Sequence, residues 1–169
     1  VLNDAGYHTA LFGKHHFVRR DDELEHISGM KKPPADFWKT WNGPYAGFQE
    51  FQANTGHTIN NIPEAHYRLF LEASGQDYKQ WFPQYREGEY NYYQTGAWGI
   101  PPELHDSSWV ARVTNDYLHR HAEDEQPWFC WASFQDPHEP FVCPEPWYSA
   151  VDKDKLQTYE GYREGEFDD

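Results

Sequence analysis

Cationic side chains are scarce in this sequence. Fourteen Lys and Arg stand against 28 Asp and Glu, a formal charge of −14, so most of the surface repels nucleic acid and anionic lipid and argues against both as partners. No apolar run approaches the roughly 20 residues that a membrane-spanning helix needs. Cysteine occurs only as Cys130 and Cys143. A pair this sparse either closes one bridge in an oxidising compartment or stays as two buried thiols, and it leaves the compartment undecided. Internal repeats and low-complexity tracts are absent, and 169 residues suit one ordinary domain.

Aliphatic residues are scarce too, and mean hydropathy is −1.00. Aromatic residues take their place, with 8 Trp, 12 Tyr and 11 Phe. Such rings fill a core, and Tyr and Trp also line sugar sites, so an aromatic-rich carbohydrate-binding module is one reading of the composition. An anionic substrate would need a local cationic island. The candidate is Lys14, His15, His16, Arg19 and Arg20, supplemented by Lys31 and Lys32 and interrupted by the acidic stretch 21–25.

The chain opens without methionine, on a segment that reads as the last turn of a helix closed by Gly6, whose missing Cβ permits a left-handed cap. It stops on an acidic tail at 164–169 with no closing element. The expectation is an internal fragment of a longer protein, in which no signal peptide can be judged.

Thr9-Ala10-Leu11-Phe12 reads as a short strand. Residues 18–60 are rich in Gly, Pro, Asn and charge without a sustained period and read as long, irregular binding loops. A helix is expected from Pro63 to Ser74, with Tyr67, Phe70, Leu71 and Ser74 on one face and Gly75 ending it. Residues 76–104 return to aromatic, Gly- and Pro-rich loop. The clearest helix spans 108–123, with Asp106 or Ser107 as cap and Val110, Val113 and Tyr117 on one stripe. After Pro127, the run from Trp128 to Phe134 has the pattern of a strand buried on both faces. Helix, short break, buried strand and functional loop form the grammar of an α/β fold.

Each of the two strands runs into a loop carrying chemistry, and α/β sheets bind ligands at such loops. In the first loop, 13–17, alternation puts Lys14 and His16 on one face and His15 on the other. A lysine ammonium neutralises an oxyanion and a histidine moves a proton beside it, while Gly13 lets backbone approach closely. In the second, 134–141, Pro137 and Pro140 restrict Asp136 and Glu139 and hold His138 on a stiffened loop, as a group that must be in place before a transition state requires. The plain alternative is a turn in which His138 bonds to backbone. A metal site from His15, His16, Asp136 and His138 is disfavoured by spacing, since adjacent strand histidines face opposite ways. His57, His66, His105, His119 and His121 suggest no partners, and the last two fit a solvated helix end.

The opening Leu2-x-x-Ala5-Gly6-Tyr7-x-Thr9-Ala10-x-x-Gly13-Lys14-x-His16-Phe17 resembles the Ala-Gly-Tyr-x-Thr…Gly-Lys-x-His segment of the type I, formylglycine-dependent sulfatases. Trp128 to Phe141 is similar to that family's Phe-Phe-x-x-x-Ser-Phe-x-Asp-Pro-His-x-Pro-Phe segment. The regions 90–93, 108–123 and 144–147 also look like bacterial members. The resemblance implies part of an alkaline-phosphatase-like α/β/α sandwich with long irregular loops, here an incomplete catalytic domain over 1–169. It implies hydrolysis of sulfate esters in a sulfated small molecule or glycan, with a formylglycine nucleophile and a divalent cation, usually calcium. Lys14 matches the lysine contacting sulfate and the formylglycine hydroxyl. His16 matches the histidine that assists breakdown of the sulfated intermediate, and His138 the one near the leaving oxygen. The family also implies a periplasmic or extracellular location. No Cys-x-Pro-x-Arg or Ser-x-Pro-x-Arg segment and no matching metal ligands occur in this sequence; both are expected outside it. A phosphonate or phosphodiester hydrolase of the same superfamily shares these segments and is the alternative.

Overall fold

A computed structural model of the chain describes residues 1–17, 23–31, 33–55, 59, 63–82, 95–157, 161 and 164–165. The strand expected at 9–12 is β1 (His8–Gly13), and the helices expected at 63–74 and 108–123 are α3 (Ala65–Ala73) and α4 (Asp106–Arg120). The apolar run is β4 (Trp128–Ser133). The 18–60 stretch is more ordered than its composition predicts. It holds α1 (Glu23–Ser28), α2 (Ala35–Thr40) and β2 (Glu50–Ala53), elements too short for their periodicity to emerge. β3 (Thr95–Ala97) and β5 (Phe141–Cys143) pair in parallel as a separate two-stranded ladder.

The central sheet is parallel in the order β2-β1-β4, so the chain is a mixed α/β protein. β1 is buried on both faces, and each face has its own cluster. Ala10 and Phe12 pack against Tyr117 of α4, while Leu11 joins Phe51, Trp38, Tyr45 and Ile27 on the other side. A third cluster joins α3 and α4 through Tyr67, Leu71, Trp109 and Val110 and adds Phe82, Trp98 and Ile100 from the loops. Much of the aromatic content is therefore core. Among the described residues no helix is long and apolar enough to cross a membrane.

Two expectations on burial change. The run from Trp128 to Phe134 is not buried on both faces: β4 is one of the two edge strands of this sheet among the described residues, and Trp128, Phe129, Trp131 and Phe134 are 40–45% exposed. Local apolarity cannot tell a central strand from an edge one. His121 is not a solvated helix-end residue: it ends α4, stacked on His8 and packed on Tyr117. His119 is exposed as expected. Gly6 adopts φ +85 and closes a 3-10 turn over Asn3–Ala5, and Gly75, at φ +73, follows α3. Pro63 lies just outside α3 instead of in its first turn. Arg19, Arg20, Lys32, His57, and the 83–94 and 166–169 segments fall outside the described residues.

Candidate functional site

Because the three strands are parallel, Gly13, Ala53 and Ser133 all end at one edge, and the segments that follow them meet there. The Lys14 amide donates to the Ser133 carbonyl at 3.0 Å, and the Asn54 amide donates to the Gly13 carbonyl at 3.1 Å. Gln135 Nε2 donates to the Asn54 carbonyl at 3.3 Å. The Gly-Lys-x-His and Asp-Pro-His segments thus leave adjacent strands side by side. Lys14 is half-buried, His15 buried and His16 exposed, which follows the alternation expected of a chain still extended past β1.

His138 is partly buried. Its amide donates to the Gln135 carbonyl at 3.0 Å, and Nδ1 lies 2.7 Å from the Glu139 carbonyl and 3.4 Å from its carboxylate. A carbonyl only accepts, so in the neutral ring this contact puts the proton on Nδ1. Of the residues weighed as a metal set with His138, only Asp136 enters a group of potential ligands among the described residues, and it does so with His105 and Asp106.

That group was only half visible in the sequence. α4 starts at the carboxyl edge of the sheet and runs back toward the amino edge, so its first residues lie at the strand ends. His105, not Asp106 or Ser107, is the N-cap: its Nδ1 accepts from the Ser107 amide at 3.1 Å. Asp106, only 1% exposed, accepts from the Ser107 amide at 2.8 Å and from Asn54 Nδ2 at 3.2 Å, and its Oδ1 lies 3.0 Å from His105 Nδ1. Burial, with a lesser push from Asp136 and against His105, raises the Asp106 carboxyl to about 6. His105 Nε2 is buried 3.8 Å from Asp136 Oδ2, which itself accepts from Ser107 Oγ at 3.1 Å.

One protonation pattern suits this corner. The Nδ1 lone pair that accepts from the Ser107 amide also faces Asp106 Oδ1 at 3.0 Å. With Asp106 protonated, its O–H donates to Nδ1 and Nε2–H faces the Asp136 carboxylate. The corner thus lines up a buried carboxyl, an imidazole and a partly exposed carboxylate. It opens on a cleft of about 350 Å³ lined by His105, Ser107, Asp136, Cys143 and Trp147. Lys14, His16 and His138 do not line this cleft. Cys143 and Cys130 are both free thiols, each raised by burial, Cys130 to about 11. The signals for Asn54 and Asp106 were weak, a polar residue after a short strand and a polar helix start, both common without function.

These residues do not fit calcium, which takes six to eight oxygen ligands. The group holds an imidazole and two carboxylates, one of them fully buried and already bonded to Asn54 and Ser107. Nor does either cysteine lie in a formylglycine-forming segment. Compared with protein-family models the chain matches none, and no curated protein matches it.

Proposed function

We propose that this chain forms part of the active site of a sulfatase of the formylglycine-dependent type, in a longer protein built on an alkaline-phosphatase-like α/β/α sandwich, and that the whole hydrolyses sulfate esters of a small molecule or glycan. The observation that carries the reading is the β1–β4 pairing, with Gly13 opposite Ser133 and Lys14 N–H on the Ser133 carbonyl. It sets the two motifs beside each other on the edge where parallel sheets bind ligands. The Lys14 ammonium meets the sulfate oxygens, where charge grows as the S–O bond lengthens. His138, oriented through Nδ1, presents Nε2 to the leaving oxygen, and His16 would serve as a second proton-transfer group beside the substrate. The nucleophile and the calcium ligands of this reading come from other parts of the longer protein.

The test is turnover of an aryl sulfate by that full-length protein. Lys14→Ala and His138→Ala are each expected to lower it at least about 100-fold, the scale of losing a preorganised contact to developing charge. Near-normal turnover in both variants rejects the assignment. Faster hydrolysis of a phosphonate or phosphodiester than of the sulfate moves the protein to that branch of the superfamily. Glycan binding without any hydrolysis supports a carbohydrate-binding module instead. Expressed alone, the chain is expected to bind calcium no tighter than millimolar, and micromolar binding by calorimetry would contradict the ligand assignment.

A further inference from the structure

A second group of side chains converges at the opposite, amino-terminal edge of the same sheet. His8 opens β1, Glu50 opens β2, and His121 ends α4. Each offers one ligand atom within 4.8 Å of the other two. The imidazole rings stack with centroids 4.5 Å apart and planes 26° apart. Each ring is anchored through Nδ1, that of His8 at 3.0 Å from the Tyr117 hydroxyl and that of His121 at 2.5 Å from Asp124 Oδ2. His121 Nε2 is buried and has no hydrogen-bond partner.

Ring stacking beside a Glu50–Arg120 ion pair accounts for the contact between the histidines but leaves that nitrogen unexplained. Metal-bound imidazoles show the same pattern, one nitrogen on an oxygen that fixes the tautomer and the other on the ion. Three side chains of the type N, N, O suit a zinc-class ion with a fourth position for water.

We propose that His8, His121 and Glu50 form a binding site for a zinc-class divalent cation that clips the end of α4 to the starts of β1 and β2. Asp124 and Tyr117 are its positioning residues. Arg120 grips the Glu50 carboxylate through both oxygens, at 2.5 and 3.2 Å, and each oxygen keeps a second lone pair for a metal. Glu50, Asp124 and Arg120 together leave one net negative charge to meet the dication. Zn–N bonds of about 2.0–2.1 Å in a tetrahedral site set two nitrogens about 3.4 Å apart, so binding draws the largely buried His121 ring slightly inward. The residue ends its helix, where a side-chain rotation disturbs little.

The experiment is calorimetric titration of the chelator-treated protein with Zn2+, with Co2+ absorption as a reporter of coordination. One equivalent is expected to bind with micromolar or better affinity, to give the intense visible bands of a four-coordinate cobalt site, and to raise the thermal midpoint. His8→Gln and His121→Gln each weaken binding about 100-fold or more, and Asp124→Asn weakens it about 10-fold while leaving every ligand in place. Circular dichroism establishes that each variant is folded, and if a ligand variant is not, Asp124→Asn decides. Absence of stoichiometric binding, or binding that Asp124→Asn and the histidine variants leave unchanged, overturns the proposal. So does binding that His105→Gln alone abolishes, which would place the ion at the other edge.

Discussion

Gly13→Ala is expected to cost about 3–7 kcal/mol of folding stability, enough to unfold many domains of this size. Gly13 ends β1 at φ +104, a conformation that side chains rarely adopt. A Cβ built there falls 1.9 Å from the Ser133 carbonyl oxygen and 2.9 Å from Val110 Cγ2. The valine is fully buried in the α3–α4 cluster and has nowhere to turn. The carbonyl is backbone, and it holds the Lys14 amide. Relief therefore means parting β1 from β4 at the point where both motif loops begin. Backbone strain of about 1–3 kcal/mol, overpacking of similar size and a lost hydrogen bond of about 1 kcal/mol combine to the stated loss. Gly6→Ala is the control. It also has positive φ, but nothing lies within 4 Å of its Cβ position, so strain alone, about 1 kcal/mol, is expected. Urea unfolding of both variants gives the comparison, and equal small losses would mean that the β1–β4 approach is wrong.

Acid is expected to destabilise the protein between pH 6.5 and 4. His66 is 6% exposed; its Nδ1 accepts from the Ala53 amide at 3.0 Å and its Nε2–H donates to the Trp41 carbonyl at 2.8 Å. A proton on Nδ1 breaks the first bond and places a charge in the core. Burial, partly opposed by the Trp41 carbonyl, lowers this histidine to about 4. His15 packs against Tyr45 and Phe51, and burial followed by repulsion from His16 lowers it to about 4 as well. Between 6.5 and 4 the unfolded chain takes up protons that the native state refuses. The contribution of each histidine is thus whole above pH 6.5 and is lost as pH falls to 4, about 3 kcal/mol apiece.

Asp106 works in the opposite sense. Raised from 3.8 to about 6, it favours the native state below pH 3.8 and loses that contribution as pH rises to 6, again about 3 kcal/mol. The net expected loss on acidification is about 3 kcal/mol. Unfolding free energy measured against pH should show it. His66→Gln, whose amide can accept and donate like the neutral ring, should remove most of the loss, and Asp106→Asn should deepen it. A flat profile across this window would show that the two rings are not buried neutral.

The elements that could be read from sequence were those whose signal is local. Val110, Val113 and Tyr117 mark one face of α4 by spacing alone, and Gly75 stops α3 because only glycine is comfortable beyond that helix end. β2 could not be read, because four residues of Glu-Phe-Gln-Ala become a strand only by pairing with β1. The edge position of β4 was equally hidden, since apolar content does not state which side of a strand has a neighbour.

For the candidate site the division is similar. Sequence by itself determined the two chemical motifs, their places after β1 and β4, and the family they resemble, because residue type and order along the chain carry that information. The tertiary structure alone decided that Asn54, His105 and Asp106 join the same edge, and that His8, Glu50 and His121 meet at the other. Those contacts span 52 residues between Asn54 and Asp106 and come from three different elements, β1, β2 and α4. Parallel strands bring all carboxyl ends to one side and all amino ends to the other, and a returning helix adds its start to the first and its end to the second.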